Sequence, residues 1–180
     1  MLIRKAKDTL WELELYQILR AHSIKASLGE PDIVANYSGA QVGIACKKFY
    51  SESNVSKVLS NAVGQIEKTF ELGIIAINLD DLLPADSIIK VKTLEQMSGA
   101  LVQRNDDFLR AHERHLRRYL TPGRALSALI SCSAFAIVTE SQRPLMNARQ
   151  STVWHIPGLP MEKEQRMNQF VALIGSQYAA

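Results

Sequence analysis

The stretch EPDIV at residues 30–34, followed after a short turn by VGIACKK at residues 42–48, decides how this chain is expected to fold. Both runs are apolar and rich in residues that favour strands, and the intervening sequence SGAQ suits a hairpin turn. Side chains alternate along a strand, so Ala45 and Lys47 share one face of the second strand. Asp32 opens the first strand. Asp32 and Lys47 are therefore predicted to converge on one side of a hairpin.

These residues resemble the PD-(D/E)XK nuclease superfamily, which has the restriction-endonuclease-like fold. In that family an Asp opens one strand, and an acidic residue, a spacer and a Lys lie on the next strand. Pro31-Asp32 matches the first half of the motif, and Ala45-Cys46-Lys47 stands where the second half is expected. The resemblance covers about residues 5–80, and it implies an α/β fold in which helices flank a mixed β-sheet.

The resemblance also implies a Mg²⁺-dependent or Mn²⁺-dependent phosphodiesterase that acts on DNA. Such ions bind through oxygen atoms and polarise the attacked phosphate. Asp32 would bind the metal together with the main-chain carbonyl of Cys46 and with Glu12 on the first helix. Lys47 would reduce the charge on the phosphate. Gln65 matches a glutamine that organises the active site in several branches of the superfamily, although a glutamine at the edge of the core is an alternative interpretation.

Ala45 departs from this pattern because its side chain supplies no oxygen where a metal-binding carboxylate is expected. Three explanations stay open. Ala45 is an engineered replacement of an acidic residue, or the chain has naturally lost activity and kept a binding role, or Glu12 or Glu14 compensates. Without an oxygen from the side chain at position 45, metal affinity and rate are both expected to fall. The sequence thus predicts a nuclease in weakened or inactive form, with a non-catalytic module that binds nucleic acid or protein as the alternative.

The rest of the chain is predicted to alternate between helices and strands. The first helix covers about residues 5–22, with Trp11, Leu15, Leu19 and His22 in a buried stripe. Glu12 is preferred over Glu14 as the acid that reaches the site, but both also suit a solvent-facing position. After the hairpin we expect a helix from 55 to about 72, a strand at 73–79 and a turn or cap at Asp80-Asp81. A helix at about 94–120, ended by Thr121-Pro122-Gly123, and a strand at 125–138 follow. The last expected elements are a polar loop at 139–152 with Arg143, Asn147, Arg149 and Gln150, a short edge strand at 153–156 in which His155 is structural, and a helix at about 161–178.

The helix at about 94–120 carries a cluster of basic residues. Four arginines fall on one side of it at helical spacing: Arg110, Arg114, Arg117 and Arg118. A solvated helix face explains them. A surface that contacts phosphate groups is the second explanation, because guanidinium groups pair well with phosphate oxygens. Glu67 on the preceding helix is a candidate for a migrated carboxylate, but it lies about 200° from Gln65 around the helix.

The composition is that of an ordinary globular protein. The 180 residues are 47% hydrophobic and 22% charged, with a formal net charge of +3, which favours one domain over residues 1–180. No apolar run reaches the length of a membrane span, and the first residues do not have the pattern of a secretion signal. Cys46 and Cys132 lie in apolar runs, so we expect reduced thiols and a cytoplasmic location. A homodimer or larger assembly would place two sites on opposite DNA strands.

Overall fold

The computed structural model describes residues 2–66, 70–83, 88–122, 124–142, 144–174 and 176–179, with side chains described from residue 6 to residue 174 within these ranges. Glu67, Gly123 and Arg143, which the sequence analysis singles out, lie outside the described residues.

A tight hairpin forms at the predicted place. Strand β2 covers Ile33–Tyr37 and strand β3 covers Ala40–Lys48, and the two are antiparallel. Only Ser38 and Gly39 form the turn, with φ angles of 50° and 80°. Two successive positive φ angles give a turn whose twist matches the twist of the strands, and glycine adopts such angles without strain. The hairpin is confirmed, and its second strand begins two residues earlier than the sequence indicates.

The described strands form one mixed sheet with helices packed against it, which confirms the predicted α/β class. The order along the sheet is β1-β2-β3-β4-β6-β7-β8, and β5 pairs with β6 outside this path. Strands β3 and β4 are parallel, as are β4 and β6, while the pairs at both ends are antiparallel. The remaining strands are β1 (Lys25–Leu28), β4 (Leu72–Asn78), β5 (Ile88–Val91), β6 (Ser127–Val138), β7 (Leu145–His155) and β8 (Ser176–Ala179).

Helix α1 covers Leu2–Ala21 and packs against β1 and β3. Trp11, Leu15 and Leu19 are buried at spacings of four residues, as predicted, and the Trp11 indole donates a hydrogen bond to the carbonyl of Ala76 at 3.1 Å. His22 is exposed, so its assignment to the buried stripe was wrong, because the helix ends at Ala21 and the chain turns away. The other helices are α2 (Val55–Gln65), α3 (Leu94–Tyr119) and α4 (Met161–Ile174).

Strand β4 lies in the middle of the sheet, and all seven of its residues are buried. This agrees with the expectation of a central strand that is covered on both faces. The connection from β3 to β4 passes through α2, so the order helix, hairpin, helix and parallel strand holds over the first 78 residues. This order brings the ends of β2 and β3 close to the faces of α1 and α2.

The second half of the chain contains more strand than the sequence predicts. The expected polar loop at 139–152 is wrong from Leu145 onward, because β7 is eleven residues long and pairs with β6 along its length. β8 pairs with β7 only from Asn147 to Gln150, so residues 153–155 pair with β6 alone among the described strands, and the predicted edge strand is the end of the longer strand β7. The last helix ends at Ile174, and the helix predicted to reach Leu72 ends at Gln65. His155 hydrogen-bonds Ser127 and Asn168, which supports its structural role.

Candidate active site

Asp32 and Lys47 meet at the open end of the hairpin. Nζ of Lys47 lies 3.2 Å from Oδ2 of Asp32, and the amide of Cys46 donates to the same oxygen at 2.7 Å. Their side chains are 15% and 20% exposed, so the pair is partly shielded but still reaches solvent. The predicted convergence of these two residues is confirmed. The two donors hold the Asp32 carboxylate at the start of β2.

Ala45 lies next to the Asp32–Lys47 pair, but it is completely buried. The pairing of Ile33 with Ile44, continued by one residue, puts Ala45 opposite Asp32, and directly opposed residues in an antiparallel pair share a face. Ala45 is 0% exposed and is not among the residues that line the neighbouring cavity. A longer side chain at this position would extend from the strand next to Asp32.

A cavity of about 930 Å³ opens over the Asp32–Lys47 pair. Helix α1 and helix α2 form its two walls and the end of β3 forms its floor. The lining residues are Asp8, Thr9, Glu12, Asp32, Cys46, Lys47, Lys48, Tyr50, Val58, Ser60, Asn61, Gly64 and Gln65. Its size is that of a ligand site, and its lining includes five of the residues that were predicted to act in catalysis or metal binding, with Ala45 as the exception.

Glu12 enters this cavity from α1, and Glu14 does not line it. Burial raises the pKa of Glu12 above its ordinary value of 4.5, the negative charges of Asp32 and Asp8 raise the pKa further, and Lys47 opposes them. Glu12 and Asp32 line the same cavity, and the charge of Asp32 makes ionisation of Glu12 less favourable. Glu14 instead binds Arg149 on the far side of the helix. This arrangement agrees with the choice of Glu12 over Glu14.

Gln65 borders the cavity from the last turn of α2, and its Oε1 is buried with no hydrogen-bond partner among the described residues. A buried amide oxygen without a donor is unfavourable by about 1–3 kcal/mol unless a water or a ligand supplies one. Gln65 therefore has an unused acceptor next to the cavity.

The thiol of Cys46 borders the same cavity. Burial, and then the charges of Asp32 and Glu12, raise the pKa of this thiol well above 9.0, so it is a poor nucleophile at neutral pH.

The formal charges of the side chains that line the cavity sum to a negative value. Asp8, Glu12 and Asp32 supply three carboxylates, and Lys47 and Lys48 supply two ammonium groups. Lys48 is also paired with Asp81 at 3.0 Å. A phosphate would be repelled by this set unless a cation reduced the negative charge.

Several residues that line the cavity carry oxygen donors, which are the ligands that hard divalent cations prefer. The carboxylates of Glu12 and Asp32 are among them. Among the described residues, however, no group of three or more His, Cys, Asp or Glu side chains is placed to hold a metal ion.

The four arginines on α3 lie outside the cavity. Arg110 pairs with Asp107, and Arg117 pairs with Glu113 at 2.6 Å. Both pairs are exposed, so the net positive charge of this helix face is smaller than the arginine count indicates. Arg114 and Arg118 are exposed and form no ion pair with another described residue. The side of α3 that approaches α2 is the opposite one, because Tyr119, which hydrogen-bonds Ser56 at 2.7 Å, lies about 180° from Arg110 around the helix.

The sequence did not predict that Arg149 is buried and bonded to several parts of the fold. It was expected in a polar loop, but it lies in β7 and is 5% exposed. It binds Glu14 through Nε at 2.9 Å and Asp80 through Nη2 at 2.8 Å. The segment does not alternate apolar and polar residues, since Arg149 begins a run of four polar residues that ends at Thr152, so period-two patterning gave no signal for this strand.

Comparison with protein-family models finds no match, and comparison with curated protein sequences finds no significant match. Six chains of known structure match significantly. One is the central domain of yeast acetyl-CoA carboxylase, which is 14% identical, with a TM-score of 0.32 over 71% of this chain. The match spans 20% of that chain, and a likeness of this size carries no argument about activity. In the part of the chain that the structure describes, no helix has the length and apolar character needed to span a membrane.

Proposed function

We propose that this chain is a Mg²⁺-dependent nuclease domain of the PD-(D/E)XK type that hydrolyses DNA, in a form weakened by Ala45. The observation that carries the proposal is the 3.2 Å contact between Asp32 and Lys47 at the floor of the cavity. The order of helix, hairpin, helix and parallel strand supports it, because the superfamily that the sequence resembles carries its motif on such a hairpin.

Each residue of the site has a distinct role in this proposal. Glu12, Asp32 and the main-chain carbonyl of Cys46 would hold Mg²⁺ or Mn²⁺, and the bound ion would polarise the phosphate. Lys47 would donate to a phosphate oxygen and stabilise negative charge as it develops in the transition state. Gln65 offers Oε1 as an acceptor that orients the attacking water.

Ala45 limits both metal affinity and rate. A carboxylate at position 45, opposite Asp32, would add a third carboxylate to Glu12 and Asp32 in the proposed set of metal ligands. Without it, the site holds two carboxylates, and Lys47 competes with a cation for Oδ2 of Asp32. Loss of a single group that stabilises the transition state reduces rates by about 10²–10³-fold. The unmodified chain is therefore expected to cleave DNA slowly.

The test is cleavage of plasmid and oligonucleotide DNA with Mg²⁺ and with Mn²⁺. Four proteins are compared: the unmodified chain, Ala45→Glu, Ala45→Gln and Ala45→Glu combined with Lys47→Ala. We expect activity to rise with Ala45→Glu only, and to disappear when Lys47 is also changed. Ala45→Gln is the matched control, because it adds the same volume without a charge. Absence of cleavage by Ala45→Glu under all conditions would overturn the proposal.

The second candidate function is a non-catalytic module that binds nucleic acid through α3. The observation that favours it is a pair of exposed arginines, Arg114 and Arg118, that form no ion pair with another described residue. In this case Arg114→Ala and Arg118→Ala would each weaken DNA binding and lower its dependence on salt, since each removes about one phosphate contact. Arg110→Ala is the control, because Asp107 already neutralises Arg110. Binding that is equal in all three variants would exclude this surface.

A further inference from the structure

Arg149 is the most extensively bonded buried charge among the described side chains. Its guanidinium donates to the carboxylates of Glu14 and Asp80 and to the hydroxyls of Ser131 and Ser133. These partners belong to α1, to the turn after β4, and to β6. A planar guanidinium can bind several acceptors in fixed directions, which a lysine cannot do. Arg149 therefore joins three parts of the fold from its place in β7.

The contact with α1 has two components. Nε and Nη2 of Arg149 bind the two carboxylate oxygens of Glu14 at 2.9 and 3.1 Å. The guanidinium also lies 4.9 Å from the centre of the Trp11 ring. Paired hydrogen bonds to one carboxylate fix its orientation as well as its distance. The helix is thereby held on one flank at a defined rotation about its axis.

Glu12 lies on the opposite flank. Two residues along a helix correspond to about 200° of rotation, so a bond at Glu14 determines where Glu12 points. On the flank that faces the cavity, Asp8 accepts a hydrogen bond from Tyr50 at 2.9 Å. Rotation of α1 that moved Glu12 away from Asp32 would break the Glu14–Arg149 pair.

We propose that Arg149 is a positioning residue that acts through Glu14 to hold Glu12 beside Asp32 in the candidate metal site. This inference rests on the proposed function. Arg149 lies outside the residues that line the cavity and contacts no reacting group. Its role is to fix the first helix, and the effect at the site passes through Glu12. Changes to groups that orient metal ligands typically weaken metal binding by about 10–100-fold.

The experiment measures Mn²⁺ affinity by electron paramagnetic resonance in the Ala45→Glu protein, with and without Glu14→Ala. Glu14 is changed in place of Arg149 because its side chain is 41% exposed. Its removal leaves Arg149 paired with Asp80, so the variant is expected to fold. We expect Mn²⁺ affinity to fall by about 10-fold or more. The matched control is Glu71→Ala, which breaks another Glu–Arg pair, with Arg166 at 3.0 Å.

A double-mutant cycle with Glu12→Gln separates positioning from general loss of stability. If Glu14 acts through Glu12, the change at Glu14 has little further effect once Glu12 is replaced. Equal effects of Glu14→Ala with and without Glu12, or an affinity like that of the control, would overturn this inference and leave the proposed function standing. An Ala45→Glu protein that binds no Mn²⁺ would overturn both.

Discussion

Nζ of Lys47 donates to Oδ2 of Asp32 at 3.2 Å, which joins the ends of two adjacent strands at the floor of the cavity. The amide of Cys46 shares the same oxygen. Both donors come from β3 and the acceptor precedes β2, so the hairpin itself builds this contact. Its position next to Ala45 makes the chemistry at residue 45 the first property to test.

Ala45→Glu is expected to destabilise the protein in the presence of a chelator. Ala45 is fully buried, and a buried carboxylate without a partner is unfavourable by several kcal/mol. Added Mg²⁺ should restore part of the loss, because a ligand that binds only the folded state stabilises it. Thermal unfolding with EDTA and with Mg²⁺ measures the difference. Ala45→Gln serves as the control and should show no recovery with Mg²⁺. Equal recovery in both variants would argue against a metal site at this position.

Glu12→Gln is expected to stabilise the protein at neutral pH. Burial and the charge of Asp32 raise the pKa of Glu12 in the folded state above the ordinary value of 4.5. A group with a raised pKa favours folding fully below pH 4.5, and this contribution is lost as the pH rises through its folded pKa. The melting temperature of Glu12→Gln should therefore exceed that of the unmodified chain at pH 7, and the difference should shrink near pH 4. A difference that grows on acidification would contradict the raised pKa.

Asp80→Asn is expected to destabilise the fold by about 3 kcal/mol, because it leaves the buried Arg149 with one carboxylate fewer. Burial alone would raise the pKa of Asp80, but the charge and hydrogen bonds of Arg149 outweigh it and lower the pKa below 3.8. The stability contribution of Asp80 is therefore present above pH 3.8 and is lost as the pH falls through the lowered value. Urea unfolding at pH 7 and at pH 3 measures both effects. Asp107→Asn, at an exposed Arg110 pair, should change little, and a similar loss there would argue against a special role for burial.

Two glycines should respond in opposite ways to alanine. A Cβ at Gly64 in α2 would meet no atom within 4 Å, so Gly64→Ala should stabilise the helix by up to about 1 kcal/mol. A Cβ at Gly73 in β4 would collide with the carbonyl of Arg124 and with Ile66. Gly73→Ala should therefore destabilise the protein by about 1–3 kcal/mol. Chemical denaturation of both variants tests the pair, and stabilisation by Gly73→Ala would show that β4 and the chain before β6 can move apart.

Local sequence determined most of the first half of the fold. The hairpin, the stripe of Trp11, Leu15 and Leu19 on α1, and the buried strand β4 follow from patterns within a few residues. The contact between Asp32 and Lys47 could also be predicted, since alternation along a strand and a short turn leave little freedom for their relative positions. The limits of α2 and α4 could not, because the ends of helices depend on where the chain meets the sheet.

Only the tertiary structure decided the role of Arg149. The segment was expected to be a polar loop, yet Asp80 and Glu14 make the burial of Arg149 favourable from 69 and 135 residues away. Such partners have no local signature, because a buried charge is tolerated when distant acceptors surround it. The same reasoning separates Glu12 from Glu14. Sequence placed both acids on one helix, and the packing of α1 against β3 and β7 determined which one faces the cavity.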